Sequence, residues 1–264
     1  MLLIRVKRVH CVLAVAAAMV AAVVASAGIS SIALRFEAVN ALGSDDFEVG
    51  LEELSYNPTT GLYTWGLTFS EDLASSPGNI IATLNSATLV IGDDPANYPR
   101  IFINYEVQAG ELAVEEFRVQ SALVSFSEML PELAAGRATA GFSITDVVND
   151  GIPAELQGLP SEDVPVGHGI HTAWHNGLYP TGTEFAHLVE FVDANYGGTN
   201  TANGKKPASG FLDIGAGLYD ISVECGFSLT AGDLMSGNTT WTVTPEPATV
   251  GLLLLATVML VRRR

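Results

Sequence analysis

Residues 31–39, Ser-Ile-Ala-Leu-Arg-Phe-Glu-Ala-Val, set the pattern for most of the chain. Ile, Leu, Phe and Ala occupy every second position, and Arg35 and Glu37 lie between them. Successive side chains of an extended strand point to opposite sides. A period of two therefore predicts a β-strand here with one buried face and one face that carries charge.

The same period of two recurs along the chain, at residues 62–69, 80–91, 100–107, 139–147, 217–229 and 239–243. Short turn segments such as Asn57-Pro58 and Gly61 separate these runs. The pattern predicts about ten to twelve short strands with no alternation of strand and helix. We therefore expect an all-β fold, an antiparallel β-sandwich of jelly-roll or immunoglobulin-like type, as a single domain over residues 28–244.

Four segments of this domain depart from the pattern. Residues 127–135 resemble a short helix interrupted by Pro131, and residues 149–169 form a Pro- and Gly-containing irregular loop. Residues 183–195 fit either a helix or a strand, and their β-rich surroundings favour a strand. Residues 196–209 are rich in Gly, Asn, Thr and Lys, which predicts a flexible loop.

The N-terminus has the order of features found in a secretory signal peptide. Arg5, Lys7 and Arg8 precede an apolar run at residues 11–24, and Ala25-Ser26-Ala27 follows it. A basic region, a short apolar region and a small-x-small site predict a signal peptide at residues 1–27, cleaved after Ala27. The predicted partners at this step are the Sec translocon and signal peptidase, and the alternative is an uncleaved anchor.

The C-terminus has three parts in a fixed order. Pro245-Glu246-Pro247 breaks regular structure, residues 248–261 are uncharged and apolar, and Arg262, Arg263 and Arg264 end the chain. Fourteen residues of helix reach about 21 Å, less than the hydrocarbon core of about 30 Å. We expect a short C-terminal membrane helix over this run, which acts as a transient stop in the membrane.

This arrangement resembles the PEP-CTERM sorting signal of Gram-negative bacteria. The resemblance covers residues 245–264, and it is strengthened by the signal peptide at the other end. It implies recognition of the tail by an exosortase, a membrane protease-transpeptidase, and delivery to the cell surface or the extracellular matrix of a biofilm. Whether the tail is cleaved or retained as an anchor stays open.

A second resemblance lies in the body of the chain. His175-Asn176-Gly177-Leu178-Tyr179-Pro180-Thr181, followed by Thr183-Glu184-Phe185, is similar to a segment of uncharacterised choice-of-anchor β-sandwich proteins. Asn176 is an insertion relative to that segment. The resemblance implies the sandwich fold and no particular activity.

The charge of the chain restricts the class of partner. The formal net charge is −17, and residues 28–244 hold 28 acidic residues against six basic ones, which gives −22. Such a surface repels nucleic acid and anionic lipid, so we expect no nucleic-acid partner. Cys225 is the only cysteine of this domain, and we expect a buried, unreactive thiol.

Three histidines in one short segment are the candidate metal ligands. His168, His171 and His175 lie within HGIHTAWH, and neutral imidazoles bind zinc, copper or nickel. On a helix all three would share a face; on a strand only His171 and His175 would. The alternative is a polar loop without metal. Asp93, Asp94 and Asn97 in one turn could offer oxygen ligands to calcium, although a solvated turn is the alternative.

Three functional hypotheses follow. The first is a secreted, surface-sorted protein with a structural or adhesive role and no catalysis, since the sequence contains no G-x-S-x-G elbow, P-loop or HExxH motif. The second is a carbohydrate-binding module that recognises extracellular polysaccharide through Trp65, Trp174 or Trp241, although Trp65 also fits a core anchor. The third is a metalloprotein or hydrolase that uses the histidine cluster.

Overall fold

The computed structural model describes residues 28–29, 31–94, 98–130, 134–148, 150–160 and 168–245. In this part of the chain the regular structure is β, apart from one 3-10 turn at Leu51–Glu53. The strands, numbered along the chain, are β1 (Gly28–Ile29), β2 (Ile32–Asn40), β3 (Gly43–Gly50), β4 (Ser55–Asn57), β5 (Leu62–Gly66), β6 (Glu71–Ser76), β7 (Asn79–Asp94), β8 (Tyr98–Ala109), β9 (Val114–Ser121), β10 (Val124–Met129), β11 (Ala134–Thr145), β12 (Ala154–Gly158), β13 (His171–His175), β14 (Thr183–Leu188), β15 (Phe191–Ala194), β16 (Thr199–Lys206), β17 (Leu212–Asp213), β18 (Leu218–Leu229) and β19 (Leu234–Pro245).

The strands form two antiparallel sheets, as the period of two predicted. Sheet A has the path β1-β10-β18-β9-β2-β3, with β12 and β13 on β18, β14 on β13 and β15 on β12. Sheet B has the path β16-β11-β19-β8-β7-β5-β4, with β17 on β11 and β6 on β7. The all-β sandwich architecture is therefore confirmed, while the choice between jelly-roll and immunoglobulin-like topology stays a prediction.

The core lies between the two sheets. Phe36, Phe117 and Phe227 of sheet A are fully buried, and Tyr105 of sheet B is buried against them. The ring of Tyr105 stacks on Phe227 with centroids 6.4 Å apart, and it meets Phe36 edge-on at the same separation. Because these contacts join the two sheets, the inner faces form one continuous apolar core.

Strand β18 is the centre of sheet A. Along one edge it pairs with β9 and β10, and along the other it pairs with β12 and β13. Its register places His171 opposite Cys225 and Trp174 opposite Ser222. This position at the middle of the sheet brings residues from distant parts of the sequence onto one outer face.

Three local predictions and the strand count differ from the structure: about ten to twelve strands were expected, and the described residues form nineteen. Residues 199–206, expected in a flexible loop, form β16, because pairing with β11 supplies backbone hydrogen bonds that the polar composition did not reveal. Strand β12 lies within the expected loop at residues 149–169. The helix prediction for residues 127–135 is wrong in the described part of that segment, where β10 ends at Met129 and β11 begins at Ala134. The strand prediction for residues 183–195 is confirmed by β14 and β15.

The predicted targeting segments fall mostly outside the described residues. These are residues 1–27 with Ala25 and Ala27, and the tail with Glu246, Pro247, Arg262, Arg263 and Arg264. Pro245, which we expected to lie outside the domain, is the last residue of β19 and pairs with Ala134. Among the described residues, no helix has the length and apolar character needed to span a bilayer.

Candidate functional site

The outer face of sheet A is covered at its centre by a loop. Asp220, Ser222 and Glu224 alternate along β18 with core residues and therefore point outward, yet all three are buried. The loop at residues 176–182, which connects β13 to β14, lies over the end of β18 that carries Asp220 and Ser222. Hydrogen bonds hold this loop in place, so it forms a fixed wall on the sheet.

Asn176 anchors the loop at residues 176–182. Its backbone adopts a positive φ of 53°, a conformation that Asn tolerates better than most residues. Its side-chain Nδ2 donates to the carbonyl of Gly217 at 2.7 Å, and its Oδ1 accepts from the N–H of Tyr219 at 3.2 Å. The N–H of Gly177 donates to Asp220 Oδ1 at 2.7 Å, and Ser222 Oγ donates to the carbonyl of Gly177 at 2.9 Å. The residue that interrupts the choice-of-anchor resemblance is thus the one that fixes the loop.

A charged group lies beside this loop. The guanidinium of Arg118 on β9 pairs with Glu116 and with Glu224. Burial lowers the pKa of Arg118, but the hydrogen bond that it donates to Glu116 and the charges of both carboxylates offset this, so its pKa is raised overall. Burial raises the pKa of Glu224, and the charge of Arg118 opposes that rise. The three groups form an ion-pair network in which Glu224 is buried and Glu116 is partly exposed.

Two aromatic rings border the network. Trp174 on β13 meets Tyr179 edge-on with ring centroids 5.6 Å apart, and the guanidinium of Arg118 lies 5.2 Å from the centroid of Tyr179. The indole N–H of Trp174 is buried and has no hydrogen-bond partner in the described part of the chain. An unsatisfied buried donor costs about 1–3 kcal/mol, which marks this position for a further acceptor.

These residues surround a cleft, which we call the outer cleft. It has a volume of about 270 Å³, and its lining includes Arg35, Gln120, Trp174, Leu178, Tyr179 and Glu224. A smaller recess of about 30 Å³ shares Trp174, Tyr179 and Glu224 with it and extends to Arg118 and His168. Apolar and aromatic walls with a few converging polar groups are the usual composition of a ligand site.

The three predicted tryptophans do not form a common platform. Trp174 lines the outer cleft, whereas Trp65 and Trp241 belong to sheet B. Trp65 is half-buried, with its ring 6.2 Å from that of Phe47, as the core-anchor alternative expected. Trp241 is fully buried: its ring stacks on Phe185 at 4.4 Å, and its Nε1 donates to the carbonyl of Trp174 at 3.0 Å. A fully buried ring offers no face to a sugar, so Trp241 is excluded from direct glycan contact.

The predicted trio His168, His171 and His175 is not brought together either. His171 is buried between the sheets, with Nδ1 3.8 Å from Cys225 Sγ, and burial lowers its pKa to about 3. His175 lies four residues after His171 on the same face of β13. It is also buried, and burial lowers its pKa as well. His168 lies before β13 and faces Glu184 and His187 instead. The side chains of Asp93, Asp94 and Asn97 lie outside the described part of the structure.

Several cleft residues were not identified from the sequence. They lie on three segments that meet only through the pairing of β9 and β13 with β18: Arg118 and Gln120 on β9, Tyr179 in the loop after β13, and Glu224 on β18. The one local signal was that Glu224 lies in a strand between apolar residues, since a buried carboxylate needs a partner.

No protein-family model matches the chain, and no curated protein matches it. Among solved structures, a carbohydrate-binding module that recognises mannan is 14% identical, with 68% of this chain and 88% of that chain covered and a TM-score of 0.24. A structure of the infectious bursal disease virus Gx strain is 12% identical, with 84% and 57% covered and a TM-score of 0.21.

Proposed function

We propose that this protein binds a polysaccharide in the outer cleft and serves as a non-catalytic adhesive component of the cell surface or extracellular matrix. The observation that carries the proposal is the cleft itself, in which Trp174 and Tyr179 adjoin the polar groups of Glu224, Gln120 and Arg35. Sugar hydroxyls both donate and accept hydrogen bonds, so they suit a site that offers carboxylate, amide and guanidinium groups together.

The charge of the molecule favours a neutral ligand. The formal charge of −22 over residues 28–244 opposes a polyanion. The guanidinium groups of Arg118 and Arg35 do not offset it at the cleft, because each of them already faces two or more carboxylates. The ion pairs of Arg118 with Glu116 and Glu224 also support a binding role over hydrolysis, because both carboxylates are already engaged by the guanidinium. We therefore infer a neutral glycan with exposed hydroxyls as the ligand class.

A glycan array with the purified protein tests this proposal. We expect binding to at least one neutral polysaccharide, and Tyr179→Ala should weaken it about tenfold or more, because Tyr179 forms a wall of the cleft. Tyr56→Ala is the matched control, since Tyr56 is an exposed aromatic residue of β4 in the other sheet. Absence of glycan binding, or an equal loss in both variants, contradicts the proposal. Release of reducing ends from a bound glycan contradicts its non-catalytic part.

We further propose that the protein reaches its site through export by the Sec translocon, cleavage by signal peptidase after Ala27, and exosortase recognition of residues 245–264. The order of the two terminal signals supports this route.

Replacement of Pro245, Glu246 and Pro247 by alanine tests the route. We expect the variant to remain unprocessed in the inner membrane when the host cells are fractionated. Phe69→Ala, a change at an exposed position of the sandwich, should leave processing and location unchanged. Unaltered processing of the triple variant contradicts the exosortase proposal.

A further inference from the structure

A second group of chemically active side chains lies beside the outer cleft. His168 precedes β13, and Glu184 and His187 lie on the adjacent β14. Nε2 of His168 is 3.6 Å from Glu184 Oε2, and Nδ1 of His187 is 2.7 Å from Glu184 Oε1. One nitrogen or oxygen atom from each of the three residues lies within 4.8 Å of the other two.

A bulge in β14 brings Glu184 and His187 to the same side. The register of β14 with β13 shifts between Ala173 and Trp174, so that Phe185 is an extra residue on the bulged strand. In a regular strand, residues three apart point to opposite faces. Here Phe185 and Ala186 are both buried, while Glu184 and His187 are both exposed. The bulge therefore creates a pair that regular strand geometry would separate.

Gly169 lets His168 approach this pair. A Cβ atom at residue 169 would lie 2.5 Å from the backbone nitrogen of Leu188 and 2.9 Å from Cβ of His187. Such distances are too short for any side chain, and the atom at 2.5 Å is backbone, which cannot rotate away. The close passage of this segment beside β14 thus requires glycine, and it places the ring centroids of His168 and His187 5.2 Å apart.

We propose that His168, Glu184 and His187 form a binding site for a divalent first-row metal ion of the zinc type. Two imidazoles and one carboxylate are a ligand set that zinc accepts, with a fourth position left for water. Tetrahedral bonds of about 2.0–2.1 Å separate ligand atoms by about 3.3 Å. The His168–Glu184 separation of 3.6 Å is close to that spacing.

The contact between Glu184 and His187 must lengthen for the ion to enter, while one nitrogen of His168 and one of His187 lie within 4.8 Å of each other. Nδ1 of His187 and Oε1 of Glu184 are at hydrogen-bond distance, and the metal would replace that hydrogen bond with two coordinate bonds. The side chain of His187 is half exposed, so it can rotate by the required amount without disturbing the core. The site is independent of glycan binding, although His168 also lines the small recess next to the outer cleft.

Calorimetric titration of the chelator-treated, purified protein with Zn²⁺ tests this inference. We expect about one equivalent of Zn²⁺ to bind, and Co²⁺ in its place should give the visible absorption of a four- or five-coordinate ion. His187→Ala and Glu184→Gln should each weaken binding at least about tenfold, because each removes a ligand. Both positions are exposed, so the variants should keep the circular dichroism spectrum of the wild type.

Glu190→Gln is the matched control, since Glu190 is an exposed carboxylate six residues from Glu184 outside the cluster. It should bind Zn²⁺ as the wild type does. Substoichiometric binding by the wild type overturns the proposal and leaves the cluster as an ordinary hydrogen-bonded group. Undiminished binding in the His187→Ala and Glu184→Gln variants also overturns it, because the ion would then occupy other carboxylates.

Discussion

His171 is held neutral between the sheets by burial. Its Nδ1 lies 3.8 Å from Cys225 Sγ, and its Nε2 has no hydrogen-bond partner among the described residues. Burial also raises the pKa of Cys225, to about 12, and that of Tyr105. The group is therefore a set of neutral polar side chains in an apolar core, and its burial separates His171 from His168, which faces Glu184 outside the core.

The stability of the protein should depend on His171 as the pH falls. Burial lowers the pKa of His171 from 6.5 to about 3. Between these two pH values the unfolded chain therefore binds a proton at His171 and the folded chain does not. The contribution to stability is thus complete above about pH 6.5 and is lost progressively as the pH falls toward 3. Over the whole interval the loss is on the order of 5 kcal/mol. Urea denaturation of the wild type and of His171→Asn between about pH 6.5 and pH 5 should show a steeper decline for the wild type.

Thr172→Val provides the comparison for that experiment. Thr172 is buried next to His171 but does not titrate, so this variant should change the overall stability and keep the wild-type pH dependence. Equal slopes for the wild type and His171→Asn would show that burial of His171 does not govern the acid response.

At the scale of the elements, the pairing of β13 with β14 has two separate consequences. Its bulge aligns Glu184 with His187 on the outside, and at the same position the carbonyl of Trp174 accepts a hydrogen bond from Trp241 on β19. That bond joins the two sheets through the core. One irregular step in the ladder therefore shapes both the proposed metal site and the packing of the sandwich.

The packing of Trp241 depends on a glycine in β11. A Cβ atom at Gly136 would lie 2.4 Å from Cη2 of Trp241 and 3.2 Å from Cδ1 of Ile214. Gly136→Ala should therefore lower the free energy of unfolding by about 1–3 kcal/mol, because the buried indole has no room to retreat. Urea denaturation measures this change.

Gly66→Ala in β5 is the matched control for Gly136→Ala. The nearest neighbour of its added Cβ would be the carbonyl oxygen of Ala87 at 3.8 Å, which is an ordinary contact distance. This variant should stay within about 0.5 kcal/mol of the wild type, as a substitution that meets open space does. Comparable losses in both variants would mean that the indole contact is not the cause.

At the scale of the whole molecule, the main feature is the excess of negative charge and its effect on stability. Residues 28–244 carry a formal charge of −22. On the outer face of sheet A a single arginine, Arg35, lies 3.5–3.9 Å from three carboxylates, those of Glu37, Asp46 and Glu48. Exposed pairs of this kind contribute about 0–1 kcal/mol each, so they do not offset the repulsion among the other carboxylates. The excess of like charge disfavours the compact state.

Added salt should therefore stabilise the protein. Raising NaCl from about 0.01 M to about 0.15 M shortens the Debye length from about 30 Å to about 8 Å, which screens most of the repulsion between distant carboxylates. We expect the midpoint of thermal unfolding at neutral pH to rise by several degrees, as measured by circular dichroism. KCl at the same ionic strength should give the same rise, and an unchanged or lower midpoint in both salts would contradict this account.

The sequence by itself determined the features that depend on local chemistry. The period of two in residues 31–39 and in the later runs identified an all-β sandwich, because alternation along a strand is a property of the strand alone. Composition gave the negative charge, and the order of Pro245-Glu246-Pro247, apolar residues and arginines motivated the proposed sorting route. These inferences need no knowledge of which segments meet in space.

The tertiary structure alone decided which residues act together. Trp174 and Trp241 look equivalent in the sequence, yet one lines the outer cleft and the other is fully buried. His168 joins Glu184 and His187 instead of its neighbours His171 and His175, because a bulge changes the alternation of β14. Cross-strand pairing and bulges arise from contacts between segments far apart in the chain, so they cannot be predicted from local periodicity.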